Sequence, residues 1–227
     1  IQNKALQKAF YDQNEIKTAA FTIVQGKEEI LKHLAEAKLS YPFVQKLATG
    51  GYDGKGVAVI NSKDDLGLLL EGESVIETKL NIATEYAIIV ARNAHGETAI
   101  YDAVEMVFNE EANLLDVLVY PARVDEKLGD EMKALALEVS DAFHHVGILA
   151  VEMILDKDGG LYVNEVAPRP HNSGHHTIEA CACSQFEQHL RAILNLPLGN
   201  TDVIQPAVMI NLTGEKNYTG KVWYDGF

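Results

Sequence analysis

The chain is short of positive charge: 19 Lys and Arg stand against 33 Asp and Glu, a formal net charge of −14 over 227 residues. A surface of that sign repels nucleic-acid backbones and anionic lipid, so any polyanion must be gripped by a local basic site. Cysteine is nearly absent. Cys181 and Cys183 are the only two; at that spacing in a helical stretch their side chains diverge, which disfavours a disulfide, and they form no C-x-x-C element for zinc. No apolar run approaches the roughly 20 residues that cross a bilayer, and the N-terminal IQNKALQKAFYDQ lacks a signal-peptide hydrophobic region. Internal repeats and low-complexity tracts are missing too. These absences lead us to expect a soluble cytoplasmic protein in a reducing compartment, with no nucleic-acid or membrane partner. What is present, 47% hydrophobic residues, suffices for one or two domains with a sizeable core. The chain begins at Ile1 rather than Met and ends at Phe227, so the expectation is an excised portion of a longer protein.

Residues 1–11 read as helical, Phe21–Val24 as a strand and Lys27–Ala37 as a helix whose Ile30, Leu31 and Leu34 share a face. Phe43–Leu47 and Val57–Ile60 read as strands on either side of TGGYDGKG, whose glycines break both helix and strand. Asp64–Leu70 reads as a short helix. Ser74–Glu77, Glu85–Arg92, Thr98–Phe108 and Leu115–Tyr120 follow as strands of an antiparallel sheet. Between Asp125 and His145, Leu128, Met132, Leu135, Val139, Ala142 and Phe143 recur at helical spacing. Ile148–Leu155 and Leu161–Val166 form a hairpin through DKDGG, then the loop PRPHNSGHH leads to a helical region ending near Leu196 and a last strand, Val208–Leu212.

Two features carry chemistry. In TGGYDGKG the glycines let the backbone approach a phosphate and present its amides, with Lys46 just before the loop and Lys55 within it. It matches neither common phosphate or dinucleotide fingerprint, and alone it is equally an ordinary flexible hairpin. In the DKDGG hairpin, a turn centred between Asp158 and Gly159 sets Glu152 opposite Glu165, absent a bulge, on a face with Ala150, Ile154 and Val163. Two like charges there are destabilising unless one is protonated or a cation lies between them, and magnesium accepts such oxygens together with substrate phosphates. A glutamate at a wet strand end and a glycosidase-like acid and base pair are the alternatives. Directly after Glu165, the proline-stiffened segment Asn164–Thr177 gathers Arg169, suited to an anion, and His171, suited to hydrogen bonding or proton exchange. His175 and His176 read as structural, and Ser173 lacks a nucleophile-elbow setting.

A glycine-rich loop between strands, a lysine before it, an acidic hinge strand and two late glutamates ending in Asn-Glu resemble the ATP-grasp superfamily. KLATGGYDGKG (46–56), AVEM (150–153), NEVAPRPHNSGHHT (164–177) and SQFEQHLRAI (184–193) are similar to the 5-(carboxyamino)imidazole ribonucleotide synthases within it. The resemblance covers nearly the whole chain and implies an α+β ATP-grasp fold over residues 1–195. A small subdomain would run to about residue 80 with a larger one after it, and a β-rich C-terminal domain would begin in 196–227. Lys4 and Lys46 would then contact nucleotide phosphates, with Gly51, Tyr52, Asp53, Gly54, Lys55, Gly56 and Val57 covering them. Glu77, Thr78, Lys79 and Leu80 would form the adenine hinge, and Glu85 would meet the ribose. Glu152 and Glu165 would hold magnesium, with Asn164 assisting. Arg169 and His171 would act in catalysis and, with Asn172, face bicarbonate or the ribonucleotide. The implied reaction is ATP-dependent carboxylation of 5-aminoimidazole ribonucleotide with bicarbonate through carboxyphosphate, in purine biosynthesis, by a homodimer. Other ATP-grasp ligases or carboxylases, or a silent nucleotide-binding module, are the alternatives. There are departures: the family reads Glu-Asn-Val-His where this chain has Glu105-Met106-Val107-Phe108, and the family's N-terminal nucleotide-fold domain and C-terminal Lys and Arg cluster are missing.

Overall fold

The structure is a computed structural model that describes residues 2–50, 56–109 and 114–212, together with 220, 221 and 223. Helix α1 (Lys4–Gln13) opens the chain, its first turn capped by the Asn3 side chain, which accepts from the Leu6 amide at 2.9 Å. Strand β1 (Phe21–Val24), helix α2 (Lys27–Ala35), strands β2 (Phe43–Leu47) and β3 (Val57–Ile60) and strand β4 (Ser74–Thr78) build a four-stranded antiparallel sheet in the order β1-β4-β2-β3. Ile30 of α2, Val24, Phe43, Ile60 and Ile76 form the core on one of its faces. Between β3 and β4, the segment expected as a helix over Asp64–Leu70 is a 3-10 turn, Lys63–Leu68, whose capping box joins Ser62 and Asp65.

A second sheet follows. Strands β5 (Ile82–Arg92), β6 (Thr98–Ile100), β7 (Val104–Asn109), β8 (Leu114–Tyr120), β9 (Gly147–Asp156), β10 (Leu161–Ala167) and β11 (Ala207–Ile210) make a seven-stranded sheet, in the order β10-β9-β5-β7-β8-β11 with β6 beside β5. Helix α3 (Glu126–Phe143) buries Met132, Ala136 and Val139 against Tyr86, Ile88, Leu149, Val151 and Met153 on one face. This matches the face predicted from helical spacing. Phe10 of α1 stacks on Phe143 of α3 at 4.1 Å, so α1 packs against α3 as well as lying along the small sheet. Short helix α4 (Thr177–Ala180) and helix α5 (Gln185–Ile193) complete the element order.

Three expectations are corrected. Thr98–Phe108 is two strands rather than one, because the chain leaves the ladder at Tyr101, whose buried hydroxyl donates to the Cys183 carbonyl at 2.8 Å, and at Asp102, which pairs with Lys133 of α3. The last strand lies at Ala207–Ile210 rather than Val208–Leu212 and pairs with β8 in the larger sheet; an unpaired β8 edge would leave its amides and carbonyls open. The hairpin register also differs. The Asp156 N–H donates to the Gly160 carbonyl at 2.9 Å and the Gly160 N–H returns to the Asp156 side chain at 2.6 Å, across a three-residue loop that includes Gly159 at φ +85°, giving the pairs Leu161↔Leu155 and Val163↔Met153. A bulge after Val163 then restores the expected offset at Val166↔Val151. Val163 consequently lies in the α3-side core with Met153, on the face opposite the one predicted.

Candidate functional site

The bulge determines the site. Asn164 and Glu165 together oppose Glu152, and in such a bulge two neighbouring residues face one partner position. Both side chains meet lysines of the other sheet's assembly: Lys46 Nζ of β2 donates to Asn164 Oδ1 at 2.9 Å, and Lys4 Nζ of α1 pairs with Glu165. Lys4 is itself fastened to the small sheet by its backbone amide, which donates to the Ala48 carbonyl at 2.8 Å. The two sheets therefore close on one another, and the cleft between them is a cavity of about 530 Å³ walled by Lys4, Thr49, Gly50, Glu152, Glu165, Arg169 and His171 among others.

Lys46 reaches a second partner, Glu77 of β4, at 2.8 Å, and Lys8 of α1 reaches the same carboxylate at 2.8 Å. Lys8 and Glu77 are buried, at 4% and 5% exposure, so each needs the other. Burial pushes the Glu77 carboxyl up, but Lys46 and Lys8 outweigh it and hold it below the ordinary carboxylate range. Burial pushes the Lys8 ammonium down, more than Glu77 lifts it. Lys8 also meets the Thr18 hydroxyl, which donates to the Val163 carbonyl of β10 at 2.7 Å, linking this buried group to the second sheet.

On the other side of the cleft the carboxylates crowd one another. Ala87 of β5 pairs with Glu152 and Glu85 lies two residues along the same face. Burial first, then Glu165 and Glu85, push the Glu152 carboxyl up to about 8. Burial also raises Glu85. Glu165 faces the same burial, but Lys4 above all lowers it below the ordinary range. His171 Nε2 stands 3.4 Å from Glu152 Oε1. Its Nδ1 receives the Ser173 backbone N–H at 3.3 Å, and an amide can only donate, so the ring proton sits on Nε2 and points at Glu152. Burial and the neighbouring Arg169 push His171 down to about 4, which keeps it neutral at pH 7.

The structure thus brings Lys4, Lys46, Glu152, Asn164, Glu165, Arg169 and His171 together. Arg169 is exposed at the rim, its guanidinium donating to the Pro170 carbonyl at 3.0 Å, and Asn172 begins a 3-10 turn, Asn172–Gly174. Thr78, Lys79 and Leu80 form the link from β4 to β5, hence between the sheets, with Lys79 Nζ donating to Asn61 Oδ1 at 2.8 Å. Gly56, at φ +80°, and Val57 lead into β3; Gly51, Tyr52, Asp53, Gly54 and Lys55 lie outside the described residues. Phe108 of β7 packs partly against the core of the cleft-side face, near Met106. His176 is buried against Tyr120 at 4.0 Å and His175 stacks on Phe186, so both pack as structural residues.

Sequence reasoning missed Lys8, and a signal existed: it shares the buried side of α1 with Ala5 and Tyr11 at helical spacing, a lysine inside an apolar stripe. Thr18 offered no such signal, because its role depends on a contact 145 residues away.

The donor set suits magnesium. Two carboxylates and the Asn164 amide oxygen are hard oxygen ligands, and a divalent cation would offset both the burial and the neighbouring like charges that push Glu152 up. Among the described residues no three His, Cys, Asp or Glu side chains converge as a metal site, so such an ion would need further oxygens from a ligand. No described helix is long and apolar enough to cross a membrane.

Residues 9–186 match the ATP-grasp domain family. The N5-carboxyaminoimidazole ribonucleotide synthase of Bacillus subtilis is 39% identical over 219 residues, covering 95% of this chain and 57% of that protein. The solved N5-carboxyaminoimidazole ribonucleotide synthetase of Thermotoga maritima superposes with a TM-score of 0.84 at 43% identity, over 96% of this chain and 56% of its own. The N5-carboxyaminoimidazole synthase of Aspergillus clavatus, solved with ADP and 5-aminoimidazole ribonucleotide, gives a TM-score of 0.85 at 32% identity, over 95% and 57%. The chain spans a little over half the length of these relatives.

Proposed function

Because the chain belongs to the ATP-grasp family, we propose that it binds ATP with magnesium in the cleft between its two sheets and carboxylates 5-aminoimidazole ribonucleotide with bicarbonate. The observation that carries this reading is the convergence of Lys4, Glu152, Glu165, Arg169 and His171 around one cavity, with Lys46 bonded to Asn164 beside Glu165. Its acceptor is taken from the similarity to N5-carboxyaminoimidazole ribonucleotide synthases.

Lys46 and Lys4 would supply positive charge where the phosphates lie; Lys46, already held by Glu77 and Asn164, needs little reorganisation when the nucleotide arrives. Nucleotide binding would draw Lys4 from Glu165 and free that carboxylate. Glu152 and Glu165, assisted by Asn164, would hold magnesium. The ion, when bound, neutralises charge on the transferring phosphoryl group. Neutral His171 keeps its Nε2 proton on the cleft side, a donor for a carbonate or carboxyphosphate oxygen, while Arg169 at the rim offers a planar pair of donors to the same anion. By the same similarity Thr78–Leu80 would meet the adenine edge and Glu85 the ribose, and the glycine-rich sequence before Val57 would cover the phosphates and exclude water from a labile intermediate.

The test is ATP consumption by the complete polypeptide with ribonucleotide and bicarbonate present or omitted, together with product identification. ADP release dependent on both substrates supports the reading. Release dependent on another acceptor transfers the same site to a different ligase. Nucleotide binding without turnover makes it a silent binding module.

A further inference from the structure

Helix α5 carries two fully buried glutamines, Gln185 and Gln188, both at 0% exposure. They make the same unusual pair of bonds to different places. Gln185 Oε1 accepts from the His171 backbone N–H at 2.9 Å, and its Nε2 donates to the His171 carbonyl at 2.8 Å. Gln188 Oε1 accepts from the Gly199 N–H at 2.7 Å, and its Nε2 donates to the Gly199 carbonyl at 2.9 Å. In each case a side-chain amide does what a neighbouring strand would do, satisfying both polar groups of one residue that has no ladder of its own.

The consequence at His171 reaches the cleft. Between the end of β10 and the turn at Asn172 the chain runs without regular structure; the His171 carbonyl accepts the Gly174 N–H of that turn at 3.0 Å, and Gln185 supplies its other backbone bonds, with His171 extended at φ −126°, ψ 153°. Gln185 is itself seated by its own N–H on the Thr177 hydroxyl at 2.8 Å, which donates in turn to the Gly174 carbonyl at 2.6 Å. The loop lies so tightly on the amide that a Cβ at Gly174 would collide with Gln185 Oε1. With its backbone held, the His171 ring is left to be turned by Ser173, and Nε2 faces Glu152.

We infer that Gln185 is a positioning residue for the acceptor side of the site: by clamping the His171 backbone it sets the imidazole, and with it the short Pro168–Pro170 segment that carries Arg169. The roles given to His171 and Arg169 rest on the carboxylation reading above. Gln188 provides a matched control, since its removal breaks the same two bonds one helical turn away but on a loop remote from the cleft.

The experiment compares Gln185→Met and Gln188→Met in the complete polypeptide. Gln185→Met is expected to lower kcat/KM for ribonucleotide and bicarbonate by about tenfold or more while ADP affinity stays within about twofold. Exchange of the His171 amide with solvent is expected to quicken by about a hundredfold. Gln188→Met is expected to lower thermal stability to a similar degree and move neither readout. If the two variants lose acceptor turnover equally, or if ADP affinity falls in step with turnover in Gln185→Met, Gln185 is only a stability element and the inference fails. Unchanged exchange at His171 in Gln185→Met also overturns it. Should the unsubstituted protein leave the ribonucleotide unconverted, the functional reading falls while the exchange comparison still decides the clamp.

Discussion

The two sheets bring opposite charges to the cleft and treat them differently. On the small-sheet side, Lys8, Glu77 and Lys46 form an alternating buried row in which the single anion is flanked by two cations. On the large-sheet side Glu165 has Lys4, whereas Glu152, pushed up to about 8 by burial first and then by Glu165 and Glu85, has the neutral His171 beside it. The first group is satisfied within the protein and acts as a rigid holder. The second is unsatisfied, and its missing charge is what a ligand would bring.

Removing a carboxylate from the unsatisfied side is the strongest way to break this contrast. Glu165→Gln is expected to reduce ribonucleotide- and bicarbonate-dependent ATP consumption about a thousandfold or more in the complete polypeptide, through loss of a metal ligand. Undiminished ADP release would remove Glu165 from the metal site. On the satisfied side the damage should be to the fold. Lys8→Met leaves Glu77 buried with Lys46 alone and is expected to cost about 3 kcal/mol in urea unfolding; a loss under about 1 kcal/mol would show that Lys46 suffices.

Acidity sharpens the comparison without breaking it. A carboxyl raised in the folded state binds its proton more tightly there than in the unfolded chain, so stability falls as pH rises from the ordinary carboxylate value towards about 8. Ligand-free protein should lose thermal stability across that window, and Glu152→Gln, which cannot ionise, should flatten the profile. An unchanged slope would place the raised group elsewhere. The smallest effect is expected from Phe108→His. This change restores the histidine that the family resemblance leads one to expect at this position, and nucleotide affinity measured by titration calorimetry should change severalfold, with unfolding nearly unmoved.

Much of this contrast could be read before any coordinates. Strands β1, β2 and β3 lie at their predicted bounds, because short apolar runs ended by glycine or polar clusters leave few choices. The core face of α3 followed from spacing alone. What could not be read depended on contacts between distant segments. Lys8 and Glu77 are 69 positions apart and meet only when α1 lies on the small sheet, while Gln185 and His171 meet only when the loop folds back on α5. The pairing of Glu152 with Glu165 was anticipated on an unbroken hairpin; it is reached by a tighter turn and a compensating bulge, which is also why Val163 faces the other way.

That bulge makes the site a matter of residue count as much as residue identity. Deleting Asn164 would leave a hairpin with an ordinary ladder, its turn untouched and Val163 still opposite Met153 in the core. Yet Asn164 and Glu165 could no longer both look into the cleft, so either Lys46 or Lys4 would lose its counterpart across it. A lineage could therefore lose this chemistry through a single-codon deletion that spares every strand. Among descendants, the length of the segment from Gly160 to Pro168 would distinguish working sites from retired ones, even where both glutamates survive.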